Sequence, residues 1–429
     1  MKDIKIIVIG CGASGMTAAI AAARQGAAVK ILEKNDRPGK KLLATGNGRC
    51  NFTNINAAGS DYPGPGTGFA SGVLDRFGAA ATIEFFEQLG IFPRIESEGR
   101  VYPYSEQALS VLESLLTELR RLNVEIVYSC PVAGMRQSGG SFAVTAEGGR
   151  QFKADRIILA TGGKAGSQYG STGDGYALAA SFGHHLTSPR PALVQLVCDA
   201  GFFKELKGVR AKGAVSLADA AMPAGVDMPF ETGEIQFTDT GLSGICIFNL
   251  SRHIGKLADL QGPGEASKIS VRIDLIPEMS RAQLKDKLME RRLYSGHKTL
   301  EDFLNGIVNK KLIPVILKES KVWGSFKNSA ALDETAIDRL VHILKGWDIR
   351  VTGTKGWRDA QVTAGGIPTD EIDGKSMESI YAKGLYFAGE IIDIDGRCGG
   401  YNLQWAWSSG YMAGLSAAGE SGGADDQGK

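Results

Sequence analysis

A chain of 429 residues is too long for one small domain and suits two or three. With 43% hydrophobic and 22% charged residues it has the composition of a soluble globular protein, and 48 basic against 47 acidic residues leave a net charge of +1. That balance gives no electrostatic ground for nucleic acid or an anionic membrane as a partner, so neither is expected. No apolar run is long enough to span a bilayer, and the chain enters a strand pattern almost at once, so no signal peptide is expected. Six cysteines (Cys11, Cys50, Cys130, Cys198, Cys246 and Cys398) are scattered without a CxxC pair, which leaves a disulfide framework, a zinc site and a redox dithiol unsupported. The expectation is a reduced, cytoplasmic protein that takes a small-molecule substrate and holds no metal. Composition says nothing of its oligomeric state.

The organising stretch is residues 4–33. Ile4, Ile6, Ile7, Val8 and Ile9 make the mostly β-branched run of a buried parallel strand. Gly10-Cys11-Gly12-Ala13-Ser14-Gly15 follows, then an alanine-rich helix over residues 16–24, a break at Gly26, and a second strand, Val29-Lys30-Ile31-Leu32, that ends at Glu33. In a strand–glycine turn–helix unit of this kind Gly10 permits the tight turn. Gly12 clears the backbone for a pyrophosphate, and Gly15 lets the helix pack on the sheet. The helix N-terminus offers free N–H groups to phosphate. Glu33 can accept from ribose hydroxyls and would repel a 2′-phosphate, so the nucleotide is FAD or NAD rather than NADP. A glycine triplet alone is weak evidence; the strand before it, the helix after it and the acidic strand end about 20 residues on supply the context.

A turn at Asn35-Asp36-Arg37-Pro38-Gly39 leads into residues 40–54, dense in glycines, small polar residues and three cations, which read as a loop wrapped around a polar ligand. Helices are expected over residues 78–89, 107–121 and 176–182, strands over 124–128 and 156–160, and a hairpin from 141–146 and 151–154 around Gly148-Gly149. Pro189-Arg190-Pro191 marks a boundary. Beyond it, short apolar runs between glycine-rich turns suggest an antiparallel β-rich unit to about residue 274. Helical patterns dominate residues 280–346, and strands return at 349–354 and 360–363. Leu385-Tyr386-Phe387-Ala388 is a strand running into Gly389-Glu390, and a final apolar helix spans residues 405–418 before a small polar tail, 419–429, that is expected to fray.

Near the C-terminus, Gly399-Gly400-Tyr401-Asn402 forms a second glycine-rich junction before a helix, with the same physics as the first. A flavin dinucleotide needs both: a pyrophosphate that is always anionic, and an isoalloxazine edge that gains negative charge on reduction. One FAD can therefore be held between the two ends of the chain.

Gly10–Gly15, Glu33, Ala160-Thr161-Gly162-Gly163, Thr172-Gly173-Asp174-Gly175 and Ala388-Gly389-Glu390 together resemble the glutathione-reductase-type FAD fold in its fumarate-reductase-like branch. Two longer motifs are more specific: residues 39–51, from Gly39-Lys40-Lys41 to Arg49-Cys50-Asn51, and residues 393–404, from Asp393-Ile394-Asp395 to Asn402-Leu403-Gln404. By these the chain resembles, over essentially its whole length, the BaiN-like family of bacterial FAD-dependent oxidoreductases. The resemblance implies an α/β fold of three parts. These are a Rossmann FAD-binding domain from residues 1–190 and 364–429, an inserted β-barrel-like domain from 191–279 and 347–363, and a helical domain over 280–346. It also implies site residues. Ala13, Ser14, Glu33 and Lys34 would hold adenosine and pyrophosphate, and Val132 would offer backbone atoms to the adenine. Lys41, Thr45, Gly46, Asn47, Cys50 and Asn51 would line the way to the flavin. Thr161 and Gly162 would pass close by, and Gly389, Glu390, Gly400, Tyr401, Asn402 and Leu403 would meet the ribityl chain and flavin edge.

The resemblance leaves three activities open. The first is reduction of an activated C=C bond in a steroid-like or bile-acid-like enone, with NAD(P)H as transient electron donor. The second is oxidation of a small amine such as aminoacetone by oxygen. The third is a non-catalytic or RNA-acting flavoprotein, against which the balanced charge weighs. No second complete GxGxxG occurs in the middle of the chain, so NAD(P)H would have to dock over the flavin. No pattern assigns catalytic residues. Arg100, Tyr102 and Tyr104 form a polar-aromatic cluster that reads first as a packed loop beside Pro103. Cys50 and Cys398 read as small packing residues, Trp405 and Trp407 as core, and none of the five histidines has metal-ligand spacing.

Overall fold

The β-branched run at the start of the chain forms strand β1 (Lys5–Ile9), and all its residues but the first are buried. It lies at the centre of a parallel sheet with β2 (Ala28–Leu32), β3 (Glu125–Val127), β4 (Arg156–Leu159) and β5 (Leu385–Phe387), in the order β5-β4-β1-β2-β3. The register sets Val8 beside both Ile158 and Ile31, so the middle of the sheet is apolar on either face. Parallel strands buried on two faces read as continuous hydrophobic runs, which is why these segments stand out in the sequence. The computed structural model describes residues 4–219, 228–260 and 269–419; most of the polar tail, from residue 420, lies outside them. Its contacts divide the chain into two units, Met1–Arg190 with Gln361–Lys429, and Pro191–Ala360.

In the first unit, helix α1 (Ala13–Arg24) buries every residue from Ser14 to Ala22. Its small side chains let α3 (Tyr401–Ala418) approach closely. A Cβ built on Gly410 would lie 2.4 Å from the Ser14 carbonyl oxygen, and one on Gly414 would lie 2.2 Å from that of Ala18. The N- and C-terminal segments are thus one packed layer. Helix α2 (Ala108–Arg121) turns Val111, Leu112, Leu115 and Leu119 inward at helical spacing. The hairpin around Gly148-Gly149 is present and gains a third strand, Val132–Ser138, paired with Ser141–Ala146. That strand carries glycine and polar residues and gives little pattern. Residues 40–54 differ from the loop expected: Lys40–Ala44 is a short helix, followed by a tight turn over Thr45–Gly48.

The second unit holds a closed antiparallel barrel of Leu196–Cys198, Gly241–Ser243, Phe230–Phe237, Arg210–Asp219, Ile269–Asp274 and Trp347–Thr354. Phe202, Phe203, Phe237 and Trp347 pack at tilted angles in its core, with 4.9 Å between the Phe202 and Trp347 rings. A helix at Ile245–Leu260 interrupts the β pattern. Its opening residues, Ile245-Cys246-Ile247-Phe248, have strand propensity, and tertiary packing overrides it. Arg281–Ser295 starts at a capping box between Ser280 and Gln283, and Glu334–Gly346 at Asp333, whose carboxylate accepts from the Ala336 N–H at 2.7 Å. No described helix is long and apolar enough to cross a membrane.

In the first unit a buried polar latch ties the turn after the helix Asp174–Ala180 to residues 369–382. Ser379 Oγ accepts from the Tyr381 and Ala382 N–H groups at 3.1 and 3.0 Å, so its own proton goes to His184 Nε2 at 2.7 Å. His184 Nδ1–H then donates to Glu371 at 3.0 Å. Glu371 also faces His185 Nδ1 at 2.5 Å, the His185 N–H at 3.0 Å and the Tyr381 hydroxyl at 3.4 Å. Burial pulls the His184 pKa down, against the Glu371 carboxylate that would raise it. The Glu371 carboxyl, which burial would push up, is held below its ordinary range by the donors from His185 and His184. Both shifts cost stability in acid. As pH falls through the ordinary histidine value of about 6.5 the unfolded chain takes up a proton that folded His184 refuses, and below about 4.3 the unfolded chain protonates Glu371 first. The melting temperature should therefore fall between pH 7 and pH 5, and His184→Asn should flatten that leg relative to wild type. An unchanged slope in the variant would refute this account.

Candidate functional site

Four of the motifs singled out in the first unit follow the carboxyl ends of strands of the parallel sheet. Gly10–Gly15 follows β1, Glu33 and Lys34 follow β2, Thr161 and Gly162 follow β4, and Gly389 and Glu390 follow β5. Val132 lies a few residues past β3, where it opens the third strand of the meander opposite Ala146. Open α/β sheets bind their ligands in the crevice outside the carboxyl ends, where the strand order reverses. Here that point lies between β1 and β4, beside α1.

The three glycines of the first turn differ in what surrounds them. Gly10 has φ +104°, and a Cβ there would sit 2.5 Å from the Ala160 carbonyl oxygen. A Cβ on Gly15 would sit 2.0 Å from the Gly10 carbonyl oxygen. A Cβ on Gly12 would meet nothing within 4 Å. Gly12 is the N-cap of α1 and carries no capping side chain, so the first N–H groups of the helix, including those of Ala13 and Ser14, have no intrahelical acceptor. This open, uncapped cradle fits a pyrophosphate. Glu33 is buried beneath it. One carboxylate oxygen accepts from the Cys11 N–H at 2.7 Å, the other from the Asn35 N–H and side-chain amide at 2.8 Å each. The carboxylate is therefore fixed by the turn it supports, with one acceptor site, on the oxygen that faces Cys11, left for a ribose hydroxyl. Lys34 pairs with Asp174 and with Thr172 Oγ1.

The second glycine junction has the same character. Gly400, at φ +101°, caps α3, and a Cβ on it would lie 2.5 Å from the Thr53 carbonyl oxygen. The N–H groups of Tyr401, Asn402 and Leu403 lie in the first turn of α3. The helix begins four residues earlier than its apolar pattern predicts, because Gly400 in the left-handed region and Asn402 close the turn. Asn402 accepts from the Gly396 N–H at 2.8 Å and donates to the Gly396 and Arg397 carbonyls at 3.0 and 3.1 Å. Its side chain serves the loop, so only its backbone is available to a ligand there. The Tyr62 hydroxyl donates to the Tyr401 carbonyl at 2.7 Å.

Side chains from distant parts of the chain join the two junctions. Lys41 Nζ lies 2.6 Å from one Glu390 oxygen, and the other accepts from the Thr363 N–H at 2.8 Å. Thr363 Oγ1 accepts in turn from the Lys164 and Ala165 N–H groups at 2.8 and 3.0 Å. The Gly389 N–H donates to Ser409 Oγ at 2.8 Å and its carbonyl accepts from the Trp405 indole at 3.2 Å. Thr363 and Ser409 carry no sequence signal: neither sits in a recognisable motif, and only its fold neighbours reveal the role.

The turn after Lys40–Ala44 places Gly46, Asn47 and Gly48 in the left-handed region, and a Cβ on Gly46 would press on the Asn51 N–H and the Tyr102 ring. Thr45 Oγ1 donates to the Leu42 carbonyl at 2.7 Å, and Asn51 accepts from the Val101 N–H at 3.2 Å. Arg100, Tyr102 and Pro103 lie on a strand, Arg100–Pro103, rather than a loop. Arg49 lies over the Tyr102 ring at 4.1 Å and pairs with Glu96 and Glu106. Tyr102 is buried, which pushes its pKa up against the pull of Arg100 and Arg49, while Tyr104 is exposed. Burial also pushes the thiols of Cys50 and Cys398 up to about 12 and about 11, so both stay protonated near neutral pH and neither is an activated nucleophile. Trp405 and Trp407 are core residues, 2% and 0% exposed.

The parallel sheet, the glycine turn and the acidic end of β2 define a Rossmann-type dinucleotide-binding protein. The chain belongs to the HI0933-like family, whose Rossmann-domain model matches residues 4–416. It is 45% identical over 416 residues, covering 96% of this chain and 99% of the other, to a 3-dehydro-bile acid delta(4,6)-reductase of Clostridium scindens. It is 29% identical over 415 residues, 96% of this chain and 97% of the other, to a ribosomal RNA dihydrouridine synthase of Escherichia coli. Among solved structures it is similar in fold, with a TM-score of 0.51 and 13% identity, to a 3-ketosteroid delta1-dehydrogenase of Sterolibacterium denitrificans. That likeness covers 97% of this chain and 100% of that one.

Proposed function

We propose that this protein, an FAD-dependent oxidoreductase, reduces the carbon–carbon double bond of a hydrophobic, steroid-like enone with electrons from NAD(P)H. The observation that carries this reading is the 45% identity, end to end, with a reductase named for the 4,6-unsaturation of a 3-oxo bile acid. A bound flavin supplies the hydride for such a reduction. The chain's share is to hold the dinucleotide, to keep water from the reacting bond, and to steady the substrate carbonyl as charge reaches it. In this reading the N-terminus of α1 takes the pyrophosphate over Gly12, and Glu33 takes the adenosine ribose. Thr45, Gly46, Asn47, Cys50 and Asn51 line the path to the flavin. The first turn of α3 faces the flavin edge, where a helix N-terminus favours the reduced, anionic form.

A second reading is favoured by the 29% identity with the dihydrouridine synthase, again along the whole chain. Dihydrouridine is uridine with the double bond conjugated to its C4 carbonyl reduced, so both relatives are named for one kind of reaction on different substrates. The near-neutral charge favours the small molecule, because RNA binding draws on a basic surface.

The experiment is an anaerobic visible spectrum. NADH or NADPH should bleach the bound flavin within seconds, and a 3-oxo-4,6-diene bile acid should restore its absorbance. Restoration by unmodified ribosomal RNA alone would move the assignment to the second reading. A flavin that neither nucleotide bleaches would overturn the donor, and a panel of primary amines under oxygen would then test the oxidase alternative.

A further inference from the structure

Gln404 closes the second of the two long motifs, one residue beyond Leu403 on α3, and the flavin reading gives it no part. It is wholly buried, beside the core residue Trp405. Its amide is engaged on every side. Oε1 accepts from Thr53 Oγ1, and Nε2 donates to Thr82 Oγ1 and Ser408 Oγ at 2.8 Å each, with the Phe77 carbonyl at 3.3 Å. Ser408 Oγ lies 2.6 Å from the Phe77 carbonyl and 2.9 Å from the Gln404 carbonyl, so the single proton of this hydroxyl goes to a carbonyl. Ser408 Oγ must then accept from the amide, which assigns the nitrogen to this side and the oxygen to Thr53. Methionine would fill the same space without taking an amide out of water, so packing alone does not call for glutamine here. A buried network with every group satisfied selects one arrangement of the elements it joins.

What this network joins is the cap of α3. Thr53 opens the short strand Thr53–Asn54, and its carbonyl oxygen is the atom that a Cβ on Gly400 would meet at 2.5 Å. Asn54 Nδ2 donates to the Gly399 carbonyl at 2.9 Å. Each residue of the strand thus faces one glycine of the junction. Gln404, whose own N–H donates to the Gly400 carbonyl at 3.0 Å, reaches back from the helix to hold the strand. Thr82 on the helix Ala79–Gln88, and Phe77 just before it, anchor the amide from the other side. Without the amide the strand is free to shift against the cap. We propose that Gln404 is a positioning residue for the flavin, which sets the N–H groups of Tyr401, Asn402 and Leu403 at the angle the flavin edge requires without touching the cofactor itself. The assignment rests on the flavin reading above, which places that edge at the first turn of α3.

The test is a pair of variants of the full chain, freed of flavin and titrated with FAD and separately with ADP, which carries the pyrophosphate but no flavin. Gln404→Met removes every bond of the amide. It should weaken FAD about tenfold, leave ADP within about twofold of wild type, and move the visible absorption bands of the bound flavin. Gln404→Glu is the rescue. A carboxyl buried this deeply titrates at about pH 8, and in its protonated form one oxygen accepts from Thr53 while the O–H replaces an amide donor. Relative to wild type at the same pH, its FAD affinity should be near normal at about pH 6. By about pH 9 it should fall toward that of Gln404→Met, with ADP again unchanged, as the carboxyl loses its proton. Should the methionine variant fail to fold, the pH dependence of the glutamate variant decides alone. Unchanged FAD affinity and bands in Gln404→Met would overturn the proposal. So would equal losses for FAD and ADP, which would make Gln404 a packing residue of the whole unit, or a glutamate variant no better at the lower pH than at the higher. A wild-type chain that binds neither FAD nor ADP would instead sink the flavin reading.

Discussion

Replacing Gly12 by aspartate is expected to raise the melting temperature of the flavin-free protein and, in the same variant, to weaken flavin binding about a thousandfold. The two effects share one cause. Gly12 is the N-cap of α1, with φ −89° and ψ −170°, an extended conformation open to any L-residue. A Cβ there meets nothing within 4 Å. Aspartate at an N-cap accepts from the free N–H groups of the first turn and opposes the positive end of the helix dipole, which together contribute about 1 kcal/mol. For a domain of this size that is roughly 2–4 °C. The same carboxylate occupies the space and the donors that a pyrophosphate needs and adds a like charge, so affinity should fall by about three decades, close to 4 kcal/mol. Thermal melts and flavin titrations of one preparation check both halves. Gly15→Ala is the counterpart: its Cβ would lie 2.0 Å from the Gly10 carbonyl oxygen, so the flavin-free fold itself should suffer. A Gly12→Asp protein that still retains flavin would show that the phosphates lie elsewhere.

How much of this was legible in the sequence follows from the range of the interactions involved. The strand–turn–helix unit at the N-terminus is specified locally, by a β-branched run, a glycine turn and an alanine-rich helix, and β1, α1 and β2 stand where those residues put them. The hairpin around Gly148-Gly149 is legible for the same reason. The first turn of α3 was not, because Tyr401, Asn402 and Leu403 follow two glycines and carry no apolar periodicity; the helix starts there because Gly400 adopts a left-handed turn that Asn402 braces. Nor was the helix Ile245–Leu260, whose β-branched opening imitates the strands on either side. The Lys41–Glu390 pair joins residues 349 apart in the chain. No local pattern carries such a pair, although the two motifs that contain it are recognisable one by one. The glycines alone did not distinguish a residue that must be small for packing, such as Gly15, from one that leaves room for a ligand, such as Gly12. That difference exists only once the neighbours are in place.

The crossing of α1 and α3 is a close backbone approach, and a β-branched side chain there should undo it. Gly410 and Gly414 stand four residues apart on one face of α3, over the carbonyl oxygens of Ser14 and Ala18. At Gly414 a Cβ would also press on the Ala21 methyl, at 2.9 Å. Both obstacles at 2.2–2.4 Å are backbone atoms of a helix that is itself packed on the sheet, so neither can swing aside as a flexible side chain would. Gly414→Val should therefore force the helices apart at a cost of about 3 kcal/mol, lowering the melting temperature by roughly 6–12 °C. The effect should reach the cofactor. Ser14 donates to the Ala388 carbonyl at 3.4 Å, and Ser409, beside Gly410, accepts from the Gly389 N–H at 2.8 Å, so the crossing that holds α1 to α3 also sets the end of β5 against the first glycine turn. Flavin affinity in Gly414→Val should drop with stability, whereas Gly414→Ala should lose less of both. Gly68, with nothing within 4 Å of its Cβ, serves as the control: Gly68→Ala on the helix Thr67–Leu74 should be neutral or slightly stabilising. If Gly414→Val melts with wild type and keeps its flavin, the two ends of the chain are not joined through this crossing, and the single-layer account of the cofactor domain fails.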